Sequence, residues 1–211
     1  MKLARLLSWG SALAAGMLLA LGVARADSDF TMVCLGDGGD QAGCTPCPCG
    51  NEAPIGSGGG CLNASGFGAV LLPSGTASVS ADTLRFAAIH CEPGGAAILM
   101  SGSVTLPVNP ANPCAGLDSG IQSASFDGLR CVGGNVLRHG IRGINASGAI
   151  GTTPQSNGWG PPDNPAGGLM LHGAFVAGET RTFQVIFRTN PTLTCGNARN
   201  STQGVEVTIE P

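Results

Sequence analysis

Tyrosine is absent, lysine ends at Lys2, and the only tryptophans are Trp9 and Trp159. A domain that reads sugars through stacked rings usually offers several Trp or Tyr side chains, and only Trp159 remains beyond the first 26 residues. The missing lysines and the low charged fraction of 11% leave no clustered cations, which excludes a nucleic-acid-binding surface and argues against anionic lipid as a partner. Helical periodicity with caps is not found after residue 26, which excludes a helical bundle. No His-Glu-x-x-His, no Gly-x-Ser-x-Gly elbow and no phosphate loop occurs in that stretch, so no local motif assigns a reaction or a cofactor.

What is present begins with an export signal. Lys2 and Arg5 precede an apolar run from Leu6 to Val23, and Ala24-Arg25-Ala26 fits a small-x-small cleavage box. Residues 1–26 therefore read as a signal peptide, with the mature chain starting at Asp27. A retained membrane anchor would need a longer run and a basic stop-transfer flank. A lipid anchor would need a cysteine at the cut, whereas the nearest is Cys34. The mature chain then holds seven arginines against thirteen acids, a net charge of −6. The expectation is a secreted protein, extracellular or at the cell surface, with no membrane span after cleavage.

Thirty-five glycines and fourteen prolines interleave with apolar residues, which marks a folded, turn-rich chain. All nine cysteines lie beyond residue 26. In an oxidising compartment they should mostly be disulfides, with one thiol left over. Residues 27–65 hold five of them among turn signals such as Cys47-Pro-Cys-Gly-Asn51 and Gly58-Gly-Gly60. Such a segment buries little apolar surface and must be held by crosslinks.

From residue 66 the texture changes to short runs bounded by Gly, Pro, Asn or Asp. Strands are expected at 69–72, 76–80, 83–89, 97–100, 103–108, 125–132, 135–141, 144–150, 169–176, 180–187 and 205–209. The clearest is Thr182–Arg188, with Phe183, Val185 and Phe187 on one face and Thr182, Gln184 and Arg188 on the other. Regular short strands with turn punctuation predict an all-β fold: one domain over 27–211, in which the loop-rich, disulfide-crosslinked segment 27–65 precedes a β-sandwich or jelly-roll-like part over 66–211.

Few residues invite chemistry. Cys44-x-x-Cys47-x-Cys49 with Cys61 beyond has spacing that suits a structural zinc or, at Cys44-Thr-Pro-Cys47, a redox pair. The compartment and the absence of a flanking helix favour structural disulfides, so no metal is expected. Asp37 and Asp40 share a Gly-rich turn that resembles part of a calcium loop, but it lacks the further acids and the closing Glu. His90, His139 and His172, and Asp127, Asp163 and Glu179, show no catalytic spacing. The long connection Thr152–Gly168 is the place to expect a ligand, through Asn157, Trp159 and Asp163. There Trp159 either presents its indole to a sugar or folds back onto the sandwich as a plug.

The motifs Cys34-Leu-Gly-Asp-Gly38, Cys47-Pro-Cys-Gly-Asn51, Ser74-Gly-Thr-Ala-Ser-Val-Ser-Ala-Asp82 and Asp127-Gly-Leu-Arg-Cys-Val-Gly-Gly134, followed by Arg181-x-Phe-Gln184, Arg188 and Cys195, occur in that order. Together they resemble a recurrent secreted Cys-rich β domain of environmental bacteria, often attached behind other exported modules. The resemblance spans the mature chain and implies no catalytic or binding residue. Cys44, Cys91 and Cys114 depart from its pattern. On that basis Cys131 is expected to pair with Cys195 and Cys91 with Cys114. Cys34, Cys47, Cys49 and Cys61 would form two local bridges, leaving Cys44 as the free thiol. The function expected is non-enzymatic, structural or adhesive. A carbohydrate-binding module and a secreted hydrolase with a dispersed site are the alternatives, and the partner is an extracellular or surface molecule, glycans included.

Overall fold

The computed structural model describes residues 29–38, 44–152, 158–161, 168–190 and 195–211, so the signal segment lies outside the described residues. The fold is all-β. Its strands are β1 (Phe30–Val33), β2 (Val70–Ser74), β3 (Arg85–Ile89), β4 (Ala96–Gly102), β5 (Val104–Thr105), β6 (Val132–Gly133), β7 (Leu137–Gly143), β8 (Thr180–Arg188), β9 (Arg199–Ser201) and β10 (Gly204–Thr208), with one short helix, α1 (Gly168–Gly173). A six-stranded sheet runs β1-β10-β8-β4-β7, with β9 pairing the far end of β8. All its pairings are antiparallel.

β8 anchors this sheet for the reason its alternation gives. Phe183, Val185 and Phe187 point inward and are buried, joined by Leu99 of β4 and by Val205 and Val207 of β10. The opposing layer is the β2–β3 hairpin, widened by single bridges from Phe86 to Trp159 and from Ala88 to Ile150. Leu71, Phe86 and Ala88 close the core from that side, and the Phe86 ring packs tilted against Phe183 at 4.7 Å between ring centroids. Two layers with alternating inward side chains make a sandwich.

Several expected strands take other forms. Residues 76–80 and 144–150 are turns with isolated bridges, and of 125–132 only Val132 enters a strand. The run 169–176 is helical at first: α1 carries Leu169, Met170 and Leu171, which favour helix and include no β-branched residue. The Asp82 carboxylate accepts the Met170 N–H at 3.0 Å and fixes its first turn. Two short strands were not expected. β1 is an edge strand with exposed Thr31 and Met32, and the Arg-Asn-Ser of β9 carries no apolar alternation.

The outer face of the sheet is covered over only part of its area. β5, β6 and the stretch 127–133 cross the Thr182–Gln184 end of β8. Gln184 is fully buried beneath them. Its Nε2 donates to the Leu129 and Thr202 carbonyls, both at 2.8 Å, while its Oε1 accepts the Cys131 N–H at 3.0 Å. The other end, at Ile186 and Arg188, stays open.

Three disulfides hold the N-terminal segment, and their pairing corrects the expected one. Cys44 bridges Cys114, Cys47 bridges Cys61, and Cys49 bridges Cys195, with Cα–Cα distances of 5.7, 5.9 and 5.7 Å. Cys34, Cys91 and Cys131 are the unbridged, buried cysteines. Thus Cys195 does not join Cys131, Cys91 does not join Cys114, and Cys44 is not free. The physical reason is placement. Cys131 lies in the stretch that covers Gln184, and Cys91 lies in the core between the layers with its N–H on the Gly148 carbonyl. Cys114 and Cys195 instead face the Cys-rich segment. That segment approaches the sheet closely at Gly60, where a Cβ would stand 2.2 Å from the Ser201 carbonyl oxygen.

Candidate functional site

The sequence-predicted ligand site does not assemble at Trp159. Its side chain is fully buried, its Nε1–H donates to the Gly140 carbonyl at 2.9 Å, and its main chain pairs with Phe86. It is the plug, and it offers no face to a sugar ring. Asn157 and Asp163, like Asp40, lie outside the described residues.

The cysteine cluster is likewise accounted for. Cys44, Cys47, Cys49 and Cys61 are all in bridges, and Cys44 and Cys47 have different partners, so neither the zinc nor the redox-pair arrangement forms. Asp37 is buried, and its Oδ2 accepts the Gly56 N–H at 2.9 Å, an inward role that ties two turns of the segment. Among the described residues, no group of three or more His, Cys, Asp or Glu side chains is placed to hold a metal ion.

His139 and His172 do converge, at 5.2 Å between ring centroids, and Ser101 Oγ shares a 2.8 Å hydrogen bond with His139 Nε2. A serine on a histidine invites a hydrolase reading, but Ser101 and His139 are both closed to solvent. Burial, with the nearby His172 and Arg181, holds the His139 pKa down to about 4 from 6.5. Its Nδ1 has no hydrogen-bond partner among the described residues, so no carboxylate orients the ring. Ser101 and His139 are a polar inclusion in the core, with His172 exposed beside them.

The site the fold does build lies on the open end of the outer sheet face. Antiparallel register aligns Ile141 of β7, Ile98 of β4 and Ile186 of β8 in one row. Their side chains leave the face opposite to Leu99, Val185 and Phe187, because alternation that buries one set must present the other. Met100 and Phe126 extend the strip into a depression of about 350 Å³, which shares Ile98, Ile186 and Arg199 with a smaller one of about 150 Å³.

Arginines rim this strip. Arg138, Arg188 and Arg199 are exposed and Arg130 is half-buried, with its Nε–H on the Val132 carbonyl at 3.1 Å. The Arg199 guanidinium also lies 6.0 Å from the Phe126 ring centroid. Among the described residues none of the four makes an ion pair; the pair seen is Arg181–Glu179, elsewhere. Four of the seven arginines beyond residue 26 thus share one face of an otherwise acidic chain. Sequence reading missed this because the four are scattered over 130–199, and whole-chain charge hides a local field. The available signal was Arg188, already placed on the outward face of β8.

No family model, curated protein or solved structure matches this chain. Functional argument therefore rests on the face itself. Among the described residues no helix is long and apolar enough to cross a membrane.

Proposed function

We propose that the protein is an exported, non-enzymatic protein of the extracellular space or cell surface, adhesive in role, whose arginine-rimmed face grips a carboxylated polysaccharide. The observation that carries this reading is the set of four guanidiniums around an apolar strip that, among the described residues, have no carboxylate partner. Guanidinium forks match carboxylates in a bidentate way, while the C–H faces of sugar rings can lie on Ile98, Ile186 and Phe126. The open, shallow form suits a polymer better than an enclosed small molecule. This reading keeps the glycan partner expected from the sequence but moves it from Trp159 to the sheet. The disulfide-held segment suits a chain that works outside the cell.

The test is binding of polygalacturonate, with dextran as the neutral control, by calorimetry at 20 and 150 mM salt. Salt-sensitive binding of the acidic polymer alone is expected. The triple variant Arg138→Gln/Arg188→Gln/Arg199→Gln should weaken it. Exposed charge pairs contribute about 0.5–1 kcal/mol each, so the loss should be about 10- to 100-fold. Equal binding of dextran, or binding indifferent to the triple variant, would overturn the proposal.

A further inference from the structure

Two of the three unbridged cysteines are neighbours. Cys34 follows β1 and Cys131 precedes β6. Both are fully buried, and with Val33 they form a small cluster apart from the main core. The Cys131 thiol is the side-chain hydrogen-bonding neighbour of Cys34.

The main chain holds both residues in place. The Cys34 N–H donates to the Asp118 carbonyl at 2.8 Å, and the Cys131 carbonyl accepts the Leu106 N–H at 2.8 Å. Space around them is closed. A Cβ on Gly120 would stand 3.4 Å from the Cys34 Cβ, and one on Gly204 would stand 3.2 Å from the Cys131 Cβ. No third ligand joins them to make a metal set among the described residues, and two thiols alone do not complete a tetrahedral site. Cys91 differs: among the described residues no thiol neighbours it, and its Sγ reaches the Ile89 carbonyl at 4.0 Å.

We infer that Cys34 and Cys131 are the site of a fourth disulfide, completed during folding by exchange with a disulfide-bearing oxidant, and that Cys91 is the one thiol the folded protein keeps. One thiolate attacks the oxidant's disulfide and forms a mixed disulfide. The second thiolate then displaces the oxidant's remaining sulfur. Two thiol protons and two electrons leave the pair, and the oxidant departs as two thiols. Burial raises the Cys34 thiol well above its ordinary range, so thiolate is scarce once the fold has closed and the exchange belongs to the folding chain. The bridge would join the edge strand β1 to the stretch that carries Phe126 and Arg130, one wall of the arginine-rimmed depression.

The experiment uses the full chain, unfolded and reduced, then refolded with reduced and oxidised glutathione. The product is denatured, alkylated and analysed by intact mass and non-reducing peptide mapping. One alkylation per molecule, at Cys91, with a peptide joining Cys34 to Cys131 is expected. Cys34→Ala should raise the count to two, and Cys34→Ala/Cys131→Ala should return it to one. A refolded wild type with a cooperative urea transition and alkylated Cys34, Cys91 and Cys131 would overturn the inference. So would a bridge from Cys34 or Cys131 to any other cysteine.

Discussion

Acidification should weaken this protein through one ring. His139 sits on β7 behind a closed core, 5.7 Å from Phe183 and 6.0 Å from Phe175 between ring centroids. The groups facing it are the Ser101 hydroxyl, the His172 ring and the Arg181 guanidinium, none of which carries the negative charge that would favour an imidazolium. In the unfolded chain the ring takes a proton near pH 6.5, whereas in the folded protein it does so only near 4. Between those values the unfolded state binds the extra proton, so stability falls as pH falls, by about 1.4 kcal/mol per pH unit. The whole window is worth about 3 kcal/mol, and the loss levels off below pH 4. Asp82 and Asp118 work in the opposite direction, because burial raises their carboxyl pKa values and acidification relieves that cost. Subtracting a variant isolates the histidine. Urea unfolding of wild type and His139→Gln, whose amide retains a partner for Ser101, should be followed from pH 7 to pH 4. The stability advantage of wild type over variant should shrink by about 3 kcal/mol across that range. Parallel profiles would refute the assignment of the acid sensitivity to this ring.

Two further pairs of perturbations test the N-terminal segment and its border. Gly60→Ala forces a methyl against the Ser201 carbonyl oxygen and should cost about 2–3 kcal/mol. Gly66→Ala, at φ 79° in open space, should cost about 1 kcal/mol of backbone strain, and thermal melts should rank the two in that order. Removing the Cys49–Cys195 bridge, which spans 146 residues, should cost about 5 kcal/mol in the chain-entropy account. Removing Cys47–Cys61, which spans 14, should cost about 3 kcal/mol, and equal losses in urea unfolding would contradict that account.

The sequence made some of this architecture legible because some determinants are local. The Phe183-Gln-Val-Ile-Phe187 alternation specifies a strand and its buried face within a few residues. Cysteine density likewise announces a crosslinked segment. Pairing was not legible: whether Cys195 meets Cys49 or Cys131 depends on which side of the sheet each chain segment crosses, and spacing carries no such information. α1 escaped notice because six residues are too few to display a helical period, and the acceptor that fixes its first turn, Asp82, lies 88 residues away. Trp159 could be read outward or inward until the Gly140 carbonyl was seen to receive its indole N–H. The arginine-rimmed face is the hardest case, since Arg130, Arg138, Arg188 and Arg199 come from four separate segments and become one surface only through strand register.

The span of the Cys49–Cys195 bridge also bears on wear outside a cell. Any single cut by a protease between those two residues divides the polypeptide but cannot release either piece, because one fragment retains Cys49 and the other Cys195. That interval contains the whole of the second layer, β4, β7 and β8, and the long connection before α1. A nicked molecule would therefore keep both halves of its sheet tethered at high effective concentration, able to stay assembled until a reductant opened the link.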